Sequence, residues 1–159
     1  MSDPRRTYSV DTSALIDGLE RYYPVDAFPG LWDKVDDLIR EGRFVLSDEV
    51  WEEATAKDAA VKEWCYGRRD KLVIPTDAAV AKEVQRVLTS HERLVMNLKN
   101  RNRADPFVIA VASLRGATVV TGEGSDGTEK RPKIPYVCQQ LGIDCIRFLD
   151  LIKLEGWKF

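Results

Sequence analysis

Short apolar runs alternate with stretches of helical periodicity along the whole chain. Thr7 to Val10 predicts a first strand, followed after Asp11 by an apolar helix. Leu31, Val35, Leu38 and Ile39 mark a helix that Gly42 ends, and Arg43 to Leu46 predicts the next strand. Ser47 is placed to cap a short helix through Glu53 and Ala54, and Asp58 to cap the stretch to Tyr66. Leu72-Val73-Ile74 is an apolar run stopped by Pro75, and Thr76 or Asp77 then caps a helix with Val80, Val84, Val87 and Leu88 on one face.

The next unit carries the clearest local signals. Asp105 reads as an N-cap and Pro106 as the first helical position, with Phe107, Ala110, Val111 and Leu114 as the buried stripe and Gly116 as the stop. Thr118 to Thr121 predicts a strand, and Gly122 to Pro132 a polar, glycine-rich loop. A helix starting at Pro135 closes at Gly142, a last strand covers Asp144 to Ile146, and a short helix spans Leu149 to Leu154. Strands alternating with helices, and no hairpin turns, predict an α/β fold: a three-layer α/β/α sandwich around a central, mainly parallel sheet.

Composition narrows the class. With 44% hydrophobic and 31% charged residues in 159, the chain suits one domain spanning 1–159 with a single core. No apolar run approaches the roughly 20 residues that span a bilayer, and the polar start, Met1 to Arg6, has no signal-peptide core; the expectation is a cytoplasmic protein with no membrane partner. Cys65, Cys138 and Cys145 lack the spacing of a zinc site or a disulfide framework and read as small core residues. His91, the lone histidine, excludes a multi-histidine metal site and reads as a residue on the polar side of a helix. A net charge of −2 argues against coating nucleic acid by electrostatics alone. The basic residues are nevertheless clustered, at Arg68-Arg69-Asp70-Lys71, Lys99 to Arg103 and Lys130-Arg131-Pro132-Lys133, which are either solvated loops or a phosphate-gripping rim.

Candidate chemistry comes from acids. Asp11 closes the first strand, Asp105 opens a helix, and Glu123 follows the strand ending in Thr121. Carboxylates gathered at the carboxyl edge of an α/β sheet repel one another unless a cation sits between them, so the arrangement reads as a metal site. Oxygen-only ligands suit Mg²⁺ or Mn²⁺, and the natural guest of such an ion is a phosphodiester. Ser13, two residues after Asp11, is placed to donate its hydroxyl to a carboxylate or a metal-bound water.

The segment Tyr8-Ser9-Val10-Asp11-Thr12-Ser13 resembles the opening motif of PIN-domain ribonucleases. Three further stretches match that family's motifs in order: Ser47 to Ala54 with Glu53, Ala104-Asp105-Pro106-Phe107, and Thr121-Gly122-Glu123. Tyr22-Tyr23-Pro24, Phe28-Pro29-Gly30-Leu31-Trp32 and Lys133 to Cys138 are similar to a narrower PIN-like group, the DUF4411 family, associated with toxin–antitoxin systems. The resemblance implies a PIN-like fold and Asp11, Glu53, Asp105 and Glu123 as catalytic metal ligands. Glu49 stands as the alternative to Glu53 and Asp126 as the alternative to Glu123, and one or two ions fit equally.

It also implies an endoribonuclease leaving a 5′-phosphate and a 3′-hydroxyl, acting as the toxin of a type II pair. Its partners would be an RNA substrate, a cognate antitoxin and, as an open option, a second copy of the chain. Arg101, Arg103, Lys130, Arg131 and Lys133 are the expected substrate-binding residues, flanking Asp105 and Glu123. Two other classes compete: a metal-dependent DNA nuclease or phosphatase on the same sheet, and a catalytically silent PIN-like module that binds RNA or a partner.

Overall fold

The computed structural model describes residues 5–91, 104–124 and 133–159. β1 (Tyr8–Val10) leads into α1 (Thr12–Ile16), which continues as a π-helical segment, Asp17–Tyr22. There follow α2 (Pro29–Arg40), β2 (Phe44–Ser47), α3 (Asp48–Lys57), α4 (Ala59–Cys65), the single turn α5 (Arg69–Leu72), β3 (Val73–Ile74) and α6 (Ala78–His91). The last part holds α7 (Asp105–Arg115), β4 (Thr118–Val120), α8 (Ile134–Leu141), β5 (Cys145–Ile146) and α9 (Phe148–Glu155).

The five strands among the described residues all run parallel, in the order β3-β2-β1-β4-β5. Alternation along each strand sorts side chains to two covered faces. Tyr8, Val10, Phe44 and Leu46 join the main core with Trp32 and Val35 of α2, Trp64 of α4 and Leu151 of α9. Val45 faces the other way, into a second cluster with Val80 and Val84 of α6 and Ala110 and Val111 of α7. Ser9 lies on that second face too, and its buried hydroxyl donates to the carbonyl of Val108 in α7 at 2.9 Å. The result is the expected α/β/α sandwich, with β1, β2 and β4 buried throughout.

Local signals account for most element ends. Ser47 Oγ accepts from the N–H of Val50, Asp58 from Val61 and Asp77 from Val80, so Asp77 rather than Thr76 caps α6. Gly116 and Gly142 take the left-handed conformation that ends a helix without a Cβ penalty. Cys65 and Cys138 are buried, as core residues should be, and Cys145 is half-buried.

Two local readings change. The segment after Arg68 is a helical turn, and Arg68 grips both oxygens of Asp36 at 2.8 and 3.0 Å while lying over the Trp64 ring; that cluster staples α2 to α4. The helix after Asp11 also widens into a π turn, closed by the Tyr23 N–H on the Gly18 carbonyl at 2.8 Å. Among the described residues, no helix is long and apolar enough to cross a membrane.

Candidate metal centre

β2 and β3 extend the sheet to one side of β1, whereas β4 and β5 extend it to the other. The winding therefore reverses between β1 and β4, and the crevice beyond their carboxyl ends is where open α/β sheets bind ligands. Asp11 stands at that point, immediately after Val10 and 3% exposed, its N–H held by the Val120 carbonyl at 2.9 Å. Its Oδ2 accepts from Ser13 Oγ at 2.7 Å and from Thr121 Oγ1 at 2.9 Å. Ser13 Oγ in turn accepts the N–H of Gly122, and Thr121 Oγ1 accepts that of Glu123. Two hydroxyls thus tie the first turn of α1 to the loop after β4.

Glu123 is aimed by a different element. Its Oε2 accepts the N–H of Ile134, the first residue of α8, at 2.9 Å, an arrangement that sets a carboxylate against a helix N-terminus. Asp105 comes from α7 and is 1% exposed. It was expected to cap that helix, but Ala104 holds the cap position in helical conformation, with no side-chain cap bond. The Asp105 carboxylate is directed instead at the other acids, and its Oδ2 is buried with no hydrogen-bond partner among the described residues.

One carboxylate oxygen from each of Asp11, Asp105 and Glu123 lies within 4.8 Å of one from each of the others. Without a cation, acids this close hold protons. Burial, followed by the charges of Asp11, Glu123 and Glu53, pushes Asp105 up to about 10. Burial also raises Asp11, against the opposing hydroxyls of Ser13 and Thr121, and raises Glu123 together with the charge of Asp11. A buried carboxylate oxygen with no donor, facing two other carboxylates, is a group built for a positive partner. The donors are all hard oxygens, so the arrangement can hold a divalent cation such as Mg²⁺ or Mn²⁺.

A family model, described as a domain of unknown function (DUF4411), matches residues 8–159. The chain belongs to the DUF4411 family. No curated protein matches it significantly.

The fourth expected ligand of this DUF4411 chain stands apart from the three. Glu53 lines a cavity of about 140 Å³ with Asp11, Thr12, Ser13, Ile16, Arg21, Lys57 and Glu123, but lies outside the tight cluster. It pairs with Lys57, at 3.8 Å. Burial raises the Glu53 carboxyl, with Lys57 opposing and Asp11 adding. Glu49, one turn earlier, does not line the cavity.

Of the expected substrate-binding residues, Lys133 is exposed at the N-terminal end of α8, and its charge acts on Glu123. Arg101, Arg103, Lys130 and Arg131 lie outside the described residues, as does Asp126.

Several parts of this site are not singled out by the sequence. Thr121 stands there only as a strand end, yet in the fold it bridges the Asp11 carboxylate and the Glu123 N–H. Gly122 sits at a close approach: a Cβ there would meet the Asp17 carboxylate, which would have to swing aside, and come within 3.3 Å of the Ser13 carbonyl. Arg21 and Lys57, on the cavity wall, follow Asp17 and Glu53 by four residues. That i,i+4 spacing was the available signal.

Proposed function

We propose that this protein is a divalent-metal-dependent endoribonuclease with a PIN-like site, acting as the toxin of a toxin–antitoxin pair. The observation that carries the reading is Asp105: a buried carboxylate, one oxygen without a partner among the described residues, set against Asp11 and Glu123 at the switch point of the sheet. The order of the four acidic motifs, which resembles that of PIN-domain ribonucleases, supports the choice of RNA. The resemblance of Tyr22-Tyr23-Pro24, Phe28 to Trp32 and Lys133 to Cys138 to a PIN-like group associated with toxin–antitoxin systems supports the toxin role.

Asp11, Asp105 and Glu123 would hold the ion, with Glu53 presented from α3 across the cavity. When bound, a divalent ion supplies a water of lowered pKa and neutralises charge on the leaving oxygen. The chain contributes orientation. Ser13 and Thr121 fix Asp11, Thr121 places the backbone of Glu123, and the Ile134 N–H directs its carboxylate. Such supporting hydrogen bonds keep ligands converged without reorganisation when the ion arrives.

The test is cleavage of single-stranded RNA by the full chain with Mn²⁺ or Mg²⁺, run beside Asp11→Asn. The expected result is metal-dependent internal cleavage leaving 5′-phosphates, abolished by Asp11→Asn in a protein that still folds, with expression of the parent arresting growth and that of the variant not. Mn²⁺ should also stabilise the parent by mass action, about 2.7 kcal/mol at a hundred-fold excess over Kd. Metal stabilisation without cleavage would point to the silent binding module, and neither effect would remove the metal site altogether.

A further inference from the structure

We propose that Arg21 and Lys57 form a phosphate clamp on the substrate side of the site, holding the nucleic-acid backbone without reading bases. The inference rests on the nuclease reading and extends it to how substrate is held.

The cavity beside the acids has two chemically distinct parts. Asp11, Ser13 and Glu123 belong to the network at the strand ends, whereas Arg21 and Lys57 are the cations on its wall, with side chains 65% and 47% exposed. The carboxylates beside them are far less open: Asp17 is 16% exposed and Glu53 15%. Each cation is tethered to one of these acids, Arg21 to Asp17 at 3.0 Å and Lys57 to Glu53 at 3.8 Å. They arrive from different elements, Arg21 from the π-helical segment and Lys57 from the last residue of α3.

Charge makes such cations necessary. Asp11, Glu53, Asp105 and Glu123 together outweigh one divalent ion by two negative charges, so a phosphodiester monoanion would enter against repulsion. Arg21 and Lys57 supply two positive charges at the cavity wall, the first of them partly offset by Asp17, which lies outside the cavity lining. Among the described residues, the Arg21 guanidinium gives a single hydrogen bond, from Nη1 to Asp17 Oδ1. Its geometry suits a phosphate, which accepts from two N–H groups at once. The π turn that carries Arg21 is a rare conformation that recurs at functional sites.

The lining sets what is recognised. The cavity of about 140 Å³ is walled by carboxylates, two hydroxyls, two cations and Ile16, and among the described residues no aromatic side chain lines it. Such a wall offers a base no surface to stack on and suits a charged backbone phosphate. Contacts to phosphate position a strand and carry no sequence information.

The test measures RNA binding and cleavage by the full chain with Mn²⁺, using oligouridine and oligoadenosine strands of equal length. Arg21→Gln/Lys57→Gln is compared with the parent, and the same pair is built on Asp11→Asn for binding without turnover. The double substitution should raise KM on the order of ten-fold or more, equally for both strands, because charge-assisted hydrogen bonds are lost. It should also lower the log–log salt slope of binding by about 0.7, the contribution of one phosphate contact on a single strand. Mn²⁺ affinity should hold or rise, because two cations beside the acids are removed. The melting temperature should stay near the parent's, and Arg21→Lys should recover part of the loss.

Lys57 would also suit the C-terminus of α3 as a purely structural charge, but that role would leave the salt slope unmoved. Parental KM and salt slope in the double variant would overturn the clamp while leaving the nuclease reading intact. A parent that binds RNA without cleaving it would overturn the nuclease reading, and the binding arm would still decide the clamp. A parent that binds neither strand would overturn the clamp outright.

Discussion

Thr121 donates its hydroxyl to Asp11 Oδ2 at 2.9 Å while accepting the N–H of Glu123 at 3.1 Å, so one side chain sets two of the clustered acids. Thr121→Val keeps the shape and removes both bonds. The expected cost is about 1 to 3 kcal/mol of stability, from buried groups left unpaired. Mn²⁺ affinity should fall about 10- to 100-fold, as it does when partners of metal ligands are lost. Urea unfolding and Mn²⁺ titration calorimetry measure the two effects; parental Mn²⁺ affinity in the variant would mean that Thr121 does not orient Asp11.

The pH dependence follows from Asp105, whose carboxyl is moved from 3.8 up to about 10 by burial and by its acidic neighbours. The folded state keeps a proton that the unfolded chain gives up above about pH 4, so in chelator the parent should lose stability as pH rises from about 4 towards 10. Asp105→Asn cannot lose that proton. Its unfolding profile should be shallower, and at pH 8 the metal-free variant should be the more stable protein. Conversely, Mn²⁺ must displace the proton, so parental affinity should rise with pH and binding should release protons to buffer. Parallel pH profiles for parent and variant would refute the assignment.

Gly122→Ala tests the close approach of the β4 loop to α1. The added methyl meets the Asp17 carboxylate and the Ser13 carbonyl, and overpacking of this kind costs about 1 to 3 kcal/mol. Because Gly122 also donates to Ser13, cleavage should fall with stability. Gly142→Ala is the contrast: nothing lies within 4 Å of the new methyl, φ is +71, and only backbone strain of about 1 kcal/mol is added. Full cleavage by a folded Gly122→Ala variant would show that the loop tolerates displacement.

Tyr8→Phe probes the opposite end of the strands. Tyr8 donates to Glu155 at 2.6 Å, and Arg43 donates to the same oxygen at 2.8 Å, joining α9 to β1 and to the residue before β2. Losing the hydroxyl should cost about 1 kcal/mol in urea unfolding. RNA cleavage and Mn²⁺ affinity should stay parental, since the network is at the other edge of the sheet. A large loss of metal affinity would couple the two edges in a way the structure does not explain.

Most element boundaries could be read in advance because their causes are local. Ser47, Asp58 and Asp77 cap from within three residues, and Gly116 and Gly142 stop helices by their own backbone conformation. Asp11, Asp105 and Glu123 could be named for a similar reason: an acid where a strand ends or a helix opens stands out in one dimension.

Tertiary structure decided what those residues became. Strands of two to four residues carry too little pattern to choose neighbours, so the order β3-β2-β1-β4-β5 emerges only when the helices cover both faces. Asp105 has the local credentials of a cap, yet packing of α7 against the sheet turns its carboxylate towards Asp11 and Glu123. Glu53 kept its place in the motif order but joined Lys57 on the cavity wall, because α3, not the strand edge, carries it. Local sequence determines backbone caps and turns through contacts a few residues long. Which charges meet depends on contacts separated by a hundred residues or more, as between Asp11 and Thr121, and these exist only after the sheet has assembled.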